Sequence, residues 1–105
     1  MAHNAKYVEV RQRLRTVRKV KGWTLQNVAE QSHGEILPVV LGSWERGNRK
    51  PTLERLLFLC EEIYRIPLSV IVSDNDEDFR KALANEIMKS DKFANTFLHS
   101  MKSKG

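Results

Sequence analysis

The sequence predicts an all-α fold: five short helices, followed by one or two more in the C-terminal third. Two observations carry this. Apolar residues recur at helical spacing in nearly every stretch, and no segment keeps the strict alternation of a strand. Glycines 22, 34, 42 and 47 and prolines 38, 51 and 67 also punctuate the first two thirds so densely that the elements must be short.

From Tyr7 to Lys21, Val10, Leu14, Val17 and Val20 or the Lys21 stem line one face, with Arg11, Arg15, Arg18 and Lys19 elsewhere and Gly22 as the stop. Thr24 caps a second helix whose inward residues are Leu25, Val28 and Ala29, with Gly34 soon after. A third begins at Pro38, tolerated in a first turn, and runs to Glu45 before Gly47, leaving Asn48–Pro51 as a basic loop. Thr52 caps a fourth, with Leu53, Leu56, Leu57, Cys60 and Ile63 or Tyr64 expected inward and Phe58 and Leu59 widening the stripe. Pro67 ends it, and Leu68–Val72 makes a short fifth. After an acidic joint, 73–78, whose charges suit a helix N-terminus, Phe79, Leu83, Ile87 and Met88 predict another helix; Ser90 and Asp91 precede a last segment with Phe93, Phe97, Leu98 and Met101.

A length of 105 residues suits one compact domain and excludes a two-domain enzyme. The balance of 18 Lys and Arg against 13 Asp and Glu, net +5, favours a polyanionic partner. The charge is unevenly placed: residues 1–55 carry 11 basic and 5 acidic side chains, and residues 56–105 carry 7 and 8, so the partner-facing surface is expected in the first half. A single cysteine, Cys60, excludes an intrachain disulfide and a multi-thiolate zinc site, and among leucines at helical spacing it reads as a small core residue. His3, His33 and His99 have no companions for a triad or metal site, so neither catalysis nor a cofactor is expected. No apolar run approaches the ~20 residues of a membrane span, and the N-terminal stretch lacks the order of a secretory signal; a cytoplasmic protein, nucleoid-associated when bound, is expected.

Two short helices and a turn, followed by Trp44-Glu45-Arg46-Gly47 and Arg49-Lys50-Pro51-Thr52, resemble the helix-turn-helix of the Cro/C1 (Xre) repressor family. Arg15, Arg18, Lys21-Gly22, Trp23, Thr24, Val28-Ala29, Leu41 and the Leu53 to Val72 stretch carry the likeness further, over roughly residues 8–73; Ser32 to Arg49 looks particularly like the BldD-like type of DNA-binding domain. The resemblance implies a lambda-repressor-like helix-turn-helix domain over residues 1–73, with 74–105 a helical extension. It implies that helix 3, about 38–45, enters the major groove of double-stranded DNA. The positions carried over are Leu37 to Val40, Gly42 and Ser43: Val39 and Val40 for thymine methyls, Gly42 for close approach, Ser43 for a base or phosphate. Arg46, Asn48, Arg49 and Lys50 would follow the sugar-phosphate backbone, with Arg11, Arg15 and Arg18 extending the stripe, and Thr24 and Gln26 at the start of helix 2 offering N–H groups to a phosphate.

Two departures stand out: the span from Thr24 to Leu41 is longer than the family's common one, and Glu35 and Leu37 stand where BldD-like domains carry basic residues. The Arg-x-x-Asp motifs with which BldD-like proteins bind a cyclic dinucleotide have no counterpart in residues 74–105, so no nucleotide is carried over. Trp44 is expected in the core and Glu45 as the anchor of a basic side chain. The expected function is a sequence-specific DNA-binding transcriptional regulator resembling the repressors of this family, acting as a homodimer on a pseudo-palindromic operator, with the sign of regulation left open. The alternative is a protein-interaction adaptor or antirepressor using the apolar surface Ile36 to Val40. For residues 74–105, the segment after Ser90 is expected to pack against a second copy, the alternative being a fold back onto helix 4 around Phe58 and Leu59.

Overall fold

A computed structural model describes residues 2–89, with side chains from residue 6 onward. The described residues form six helices and no strand: α1 (Ala2–Val20), α2 (Leu25–Gln31), α3 (Pro38–Arg46), α4 (Leu53–Leu57, continued as a π-helical stretch Phe58–Tyr64), α5 (Leu68–Ile71) and α6 (Asp76–Lys89). The segment beginning at Ser90, with Phe93, Phe97, Leu98 and Met101, lies outside the described residues.

α1 starts five positions before Tyr7, since neither Gly nor Pro interrupts the residues ahead of it. It buries Val10, Leu14 and Val17 as its spacing predicts. It ends where Gly22 turns left-handed (φ +74°), letting the Gly22 and Trp23 amides return to the Lys19 and Arg18 carbonyls. Thr24 caps α2 reciprocally with Asn27: its hydroxyl accepts from the Asn27 amide at 3.0 Å, and Asn27 Oδ1 accepts from the Thr24 amide at 2.9 Å. The long turn to α3 is organised by buried Ser32, whose hydroxyl donates to the Ala29 carbonyl and accepts from the Ile36 amide. Ile36 is thereby drawn into the core, which corrects its expected place on an apolar surface.

The inward stripe expected of helix 4 holds for Leu56, Cys60, Ile63 and Tyr64 and is corrected at Leu53 and Leu57. Leu53 is 67% exposed and Leu57 is exposed as well, while Leu59, Cys60 and Tyr64 are fully buried. Leu56 and Ile63 pack against the core beside them, so the inward residues Leu56, Leu59, Cys60, Ile63 and Tyr64 keep helical spacing, and Leu53, at the helix start, and Leu57 depart from the expected stripe. Arg65 in a left-handed conformation (φ 59°) ends the stretch.

The acidic joint does precede a helix. Asn75 Oδ1 accepts from the Glu77 amide at 2.9 Å, and Asp76, Glu77 and Asp78 occupy the first turn of α6. α6 packs chiefly on α1 and α5, and its buried Phe79 joins the same core as Leu59, so this helix enlarges the core. It is held there by Arg13, nearly buried on α1: its guanidinium donates to the Ile71 and Ser73 carbonyls at 3.0 and 2.7 Å, pairs with Asp76 at 3.5 Å, and lies 5.1 Å above the buried ring of Phe79. Lys21, stacked on Trp23 and bonded to Glu86 at 2.6 Å, fixes the far end of α6.

Candidate nucleic-acid interface

α2 and α3 pack against one another, and α3 also lies on α1. Leu41 and Trp44 hold α3 in the core, so its other side faces outward. The expected reading positions then separate. Val39 is 70% and Leu37 55% exposed; Val40 and Ser43 are half-buried, Val40 against the core. Gly42 is buried. It faces Leu25 of α2, and a Cβ there would stand 3.4 Å from that side chain and 3.0 Å from the Arg46 guanidinium, so its surroundings are protein, a correction to its expected role beside a base.

Arg46, the last residue of α3, and Asn48, Arg49 and Lys50 in the turn that follows are all exposed. The turn is shaped by Gly47 at φ +83°, with the Asn48 amide returning to the Ser43 carbonyl at 2.9 Å. α1 fastens it. The Tyr7 hydroxyl donates to the Arg49 carbonyl at 2.9 Å, the Lys50 ammonium sits 5.0 Å from the Tyr7 ring, and Arg11 donates to the Glu45 carbonyl while lying flat against Gly47. Burial pushes the Tyr7 phenol above its ordinary pKa, with Arg11 opposing, so it remains a donor at neutral pH. Sequence reading missed Tyr7 here; its signal was its place one helical turn before Arg11 on α1.

The expected stripe of α1 arginines is corrected in part. Arg18 grips Glu45 through two bonds of 2.7 and 2.8 Å and donates to the Trp23 carbonyl, with little of either charged side chain exposed. Its hydrogen bond to Glu45 raises its pKa further, against the opposing effect of burial. Glu45 is thus the anchor that its position suggested, and Arg18 serves the α1–α3 joint. Arg11 is half-buried on Gly47, whereas Arg15 stays exposed and, with Arg46, edges a cleft of about 330 Å³ over Gly42 and Leu25. Thr24 and Gln26 are exposed at the start of α2, but the Thr24 oxygen already accepts from Asn27. Glu35 turns toward α4 and pairs with Arg55 at 3.4 Å.

Trp44 and Cys60 are buried as expected, and burial pushes the Cys60 thiol up to about 12, with the Glu61 charge adding to it. Among the described residues, no group of three His, Cys, Asp or Glu side chains could hold a metal ion, and no helix is long and apolar enough to cross a membrane. Comparison with protein-family models, with curated proteins and with solved structures finds no match to this chain.

Proposed function

We propose that this protein is a sequence-specific DNA-binding transcriptional regulator, working as a homodimer, that lays α3 in the major groove of its operator. One observation carries the reading: exposed Leu37 at the N-cap of α3, exposed Val39 and half-buried Ser43 on the helix lead to exposed Arg46 at its end and the exposed turn to Lys50, which α1 fastens through Tyr7 and Arg11. Apolar side chains on such a helix suit thymine methyls, and the basic turn suits the adjoining phosphates. The ion pair of Glu35 with Arg55 supports the reading too, because it draws that carboxylate toward α4.

Binding to the promoter regions flanking its own gene, titrated against salt, tests it. Arg46→Ala, Arg49→Ala and Lys50→Ala should each weaken all sequences alike and lower the salt slope by about one unit, whereas Ser43→Ala should alter preference among operators by ~1–3 kcal/mol. Absence of binding at low salt would overturn the proposal. The exposure of Leu37 and Val39, with no bidentate base-reading side chain beside them, favours a second reading, a protein-interaction adaptor or antirepressor; Val39→Glu would then abolish partner capture in a chain that binds no DNA.

A further inference from the structure

Apart from the basic turn, the molecule has a second surface of opposite character. α4 and its π-helical continuation form one wall of an open groove of about 530 Å³, floored by Leu57 and Phe58 and rimmed by Glu54, Glu61 and Glu62, with Glu35 across it. Three features build this groove. Leu57 is exposed and Phe58 half-buried where α4 passes into its π-helical continuation, which gives the groove an apolar strip. The long α2–α3 turn, passing through left-handed His33 and Gly34, brings Glu35 to the rim. Arg55, the basic side chain present, is committed to Glu35, and Glu54 and Glu62 have no ion-pair partner among the described residues. π-Helical turns interrupt the regular ladder and concentrate at functional sites.

The occupant that fits is apolar along one side and basic. The chain's own residues 90–105 have that chemistry in sequence: Phe93, Phe97 and Met101 at intervals of four, and Lys92, Lys102 and Lys104 against a single acid, Asp91. The groove and this segment are complementary in both apolar content and charge. α6, which leads into the segment, is fastened to α1 through Lys21–Glu86 and Arg13–Asp76. Exchange between two copies would satisfy both grooves through one two-fold axis, each chain giving a groove and a segment.

We propose that the acidic groove on α4 receives residues 90–105 of a second copy of this chain, so that the dimer is held by two reciprocal groove-and-tail contacts. The proposal rests on the dimeric part of the functional reading and not on DNA binding, which is measured separately.

The test uses the full chain and sedimentation over a concentration series, with thermal melting as the check on folding. The unmodified chain should sediment as a dimer. Glu54→Lys with Glu62→Lys, and separately Lys102→Glu with Lys104→Glu, should each weaken dimerisation about tenfold or more while melting like the parent. Mixing the two variants should restore a dimer, because each reversed groove then meets a reversed tail. If the reversed groove lowers the melting temperature, Glu54→Gln with Glu62→Gln should give a smaller loss in the same direction. A parent chain that is monomeric, a dimer indifferent to the groove changes, or a mixture that stays monomeric would each overturn the proposal. Loss of DNA binding with the dimer intact would overturn the functional reading alone.

Discussion

Arg18 and Glu45 show how one residue pair decides what a basic helix is for. Both side chains are nearly buried, and each satisfies the other through two short bonds, so the pair costs its desolvation and returns a fixed crossing of α1 and α3. Removing one partner leaves a buried charge unmatched. Glu45→Ala should therefore lower stability by ~3–5 kcal/mol in chemical denaturation, far more than removal of an exposed ion pair such as Arg80–Asp76. A loss below ~1 kcal/mol would mean that Arg18 escapes to solvent. Cys60 makes a second prediction. Its thiol pKa rises from the ordinary 9.0 to about 12 on burial, so the folded state holds the proton more tightly than the unfolded chain does. The associated stability is fully present below pH 9 and declines as pH rises from 9 toward 12. Tyr64, also raised by burial and by Glu45, adds a loss of the same sign above pH 10. Melting temperature should fall across that alkaline window, and Cys60→Ala should make the fall shallower.

At the scale of elements, the turn after α3 depends on Gly47 for two reasons at once. Its φ of +83° is a left-handed conformation that costs an L-residue roughly 1–2 kcal/mol, and a Cβ there would stand 2.9 Å from the Arg11 guanidinium. Gly47→Ala should lower stability by at least that amount and displace Arg11, loosening the turn that carries Arg49 and Lys50. On the proposed function, DNA affinity should then fall for all sequences together. Gly42→Ala is the contrasting case: its backbone is helical, and the nearest atom to a new Cβ is the flexible end of Arg46. It should be tolerated in melting experiments, with Arg46 the side chain that moves.

As far as Lys89 the helices share contacts that should make them unfold as one unit, because α6 closes over α1 and α5 through Phe79, Arg13 and Lys21. Phe79→Ala should cost ~3–5 kcal/mol and preserve a single melting transition. Two transitions would mean that residues 74–89 form a separable extension, as a domain boundary at residue 73 would imply. Charge is segregated at the same scale: the basic turn Arg46–Lys50 continues from α3, and the acidic groove lines α4. One molecule thereby offers a surface for a polyanion and another for a basic segment.

The order and type of the helices were legible in the sequence because local chemistry sets them: Thr24 and Thr52 as caps, Gly22 and Gly47 as left-handed stops, Pro38 in a first turn, and the Val10, Leu14, Val17 stripe all act within a few residues of themselves. The exposed basic turn was legible for the same reason, since like charges next to glycine and proline have little means of burial. Tertiary structure alone decided the rest. The exposure of Leu53 and Leu57, the commitment of Arg18 to Glu45, the placing of Gly42 against Leu25, the hold of Tyr7 on Arg49 and the docking of α6 on Arg13 all join residues far apart in the chain, or depend on which neighbour fills a shared space. Periodicity within one segment records how a helix repeats, but which side of it is buried depends on the surface that the rest of the chain presents.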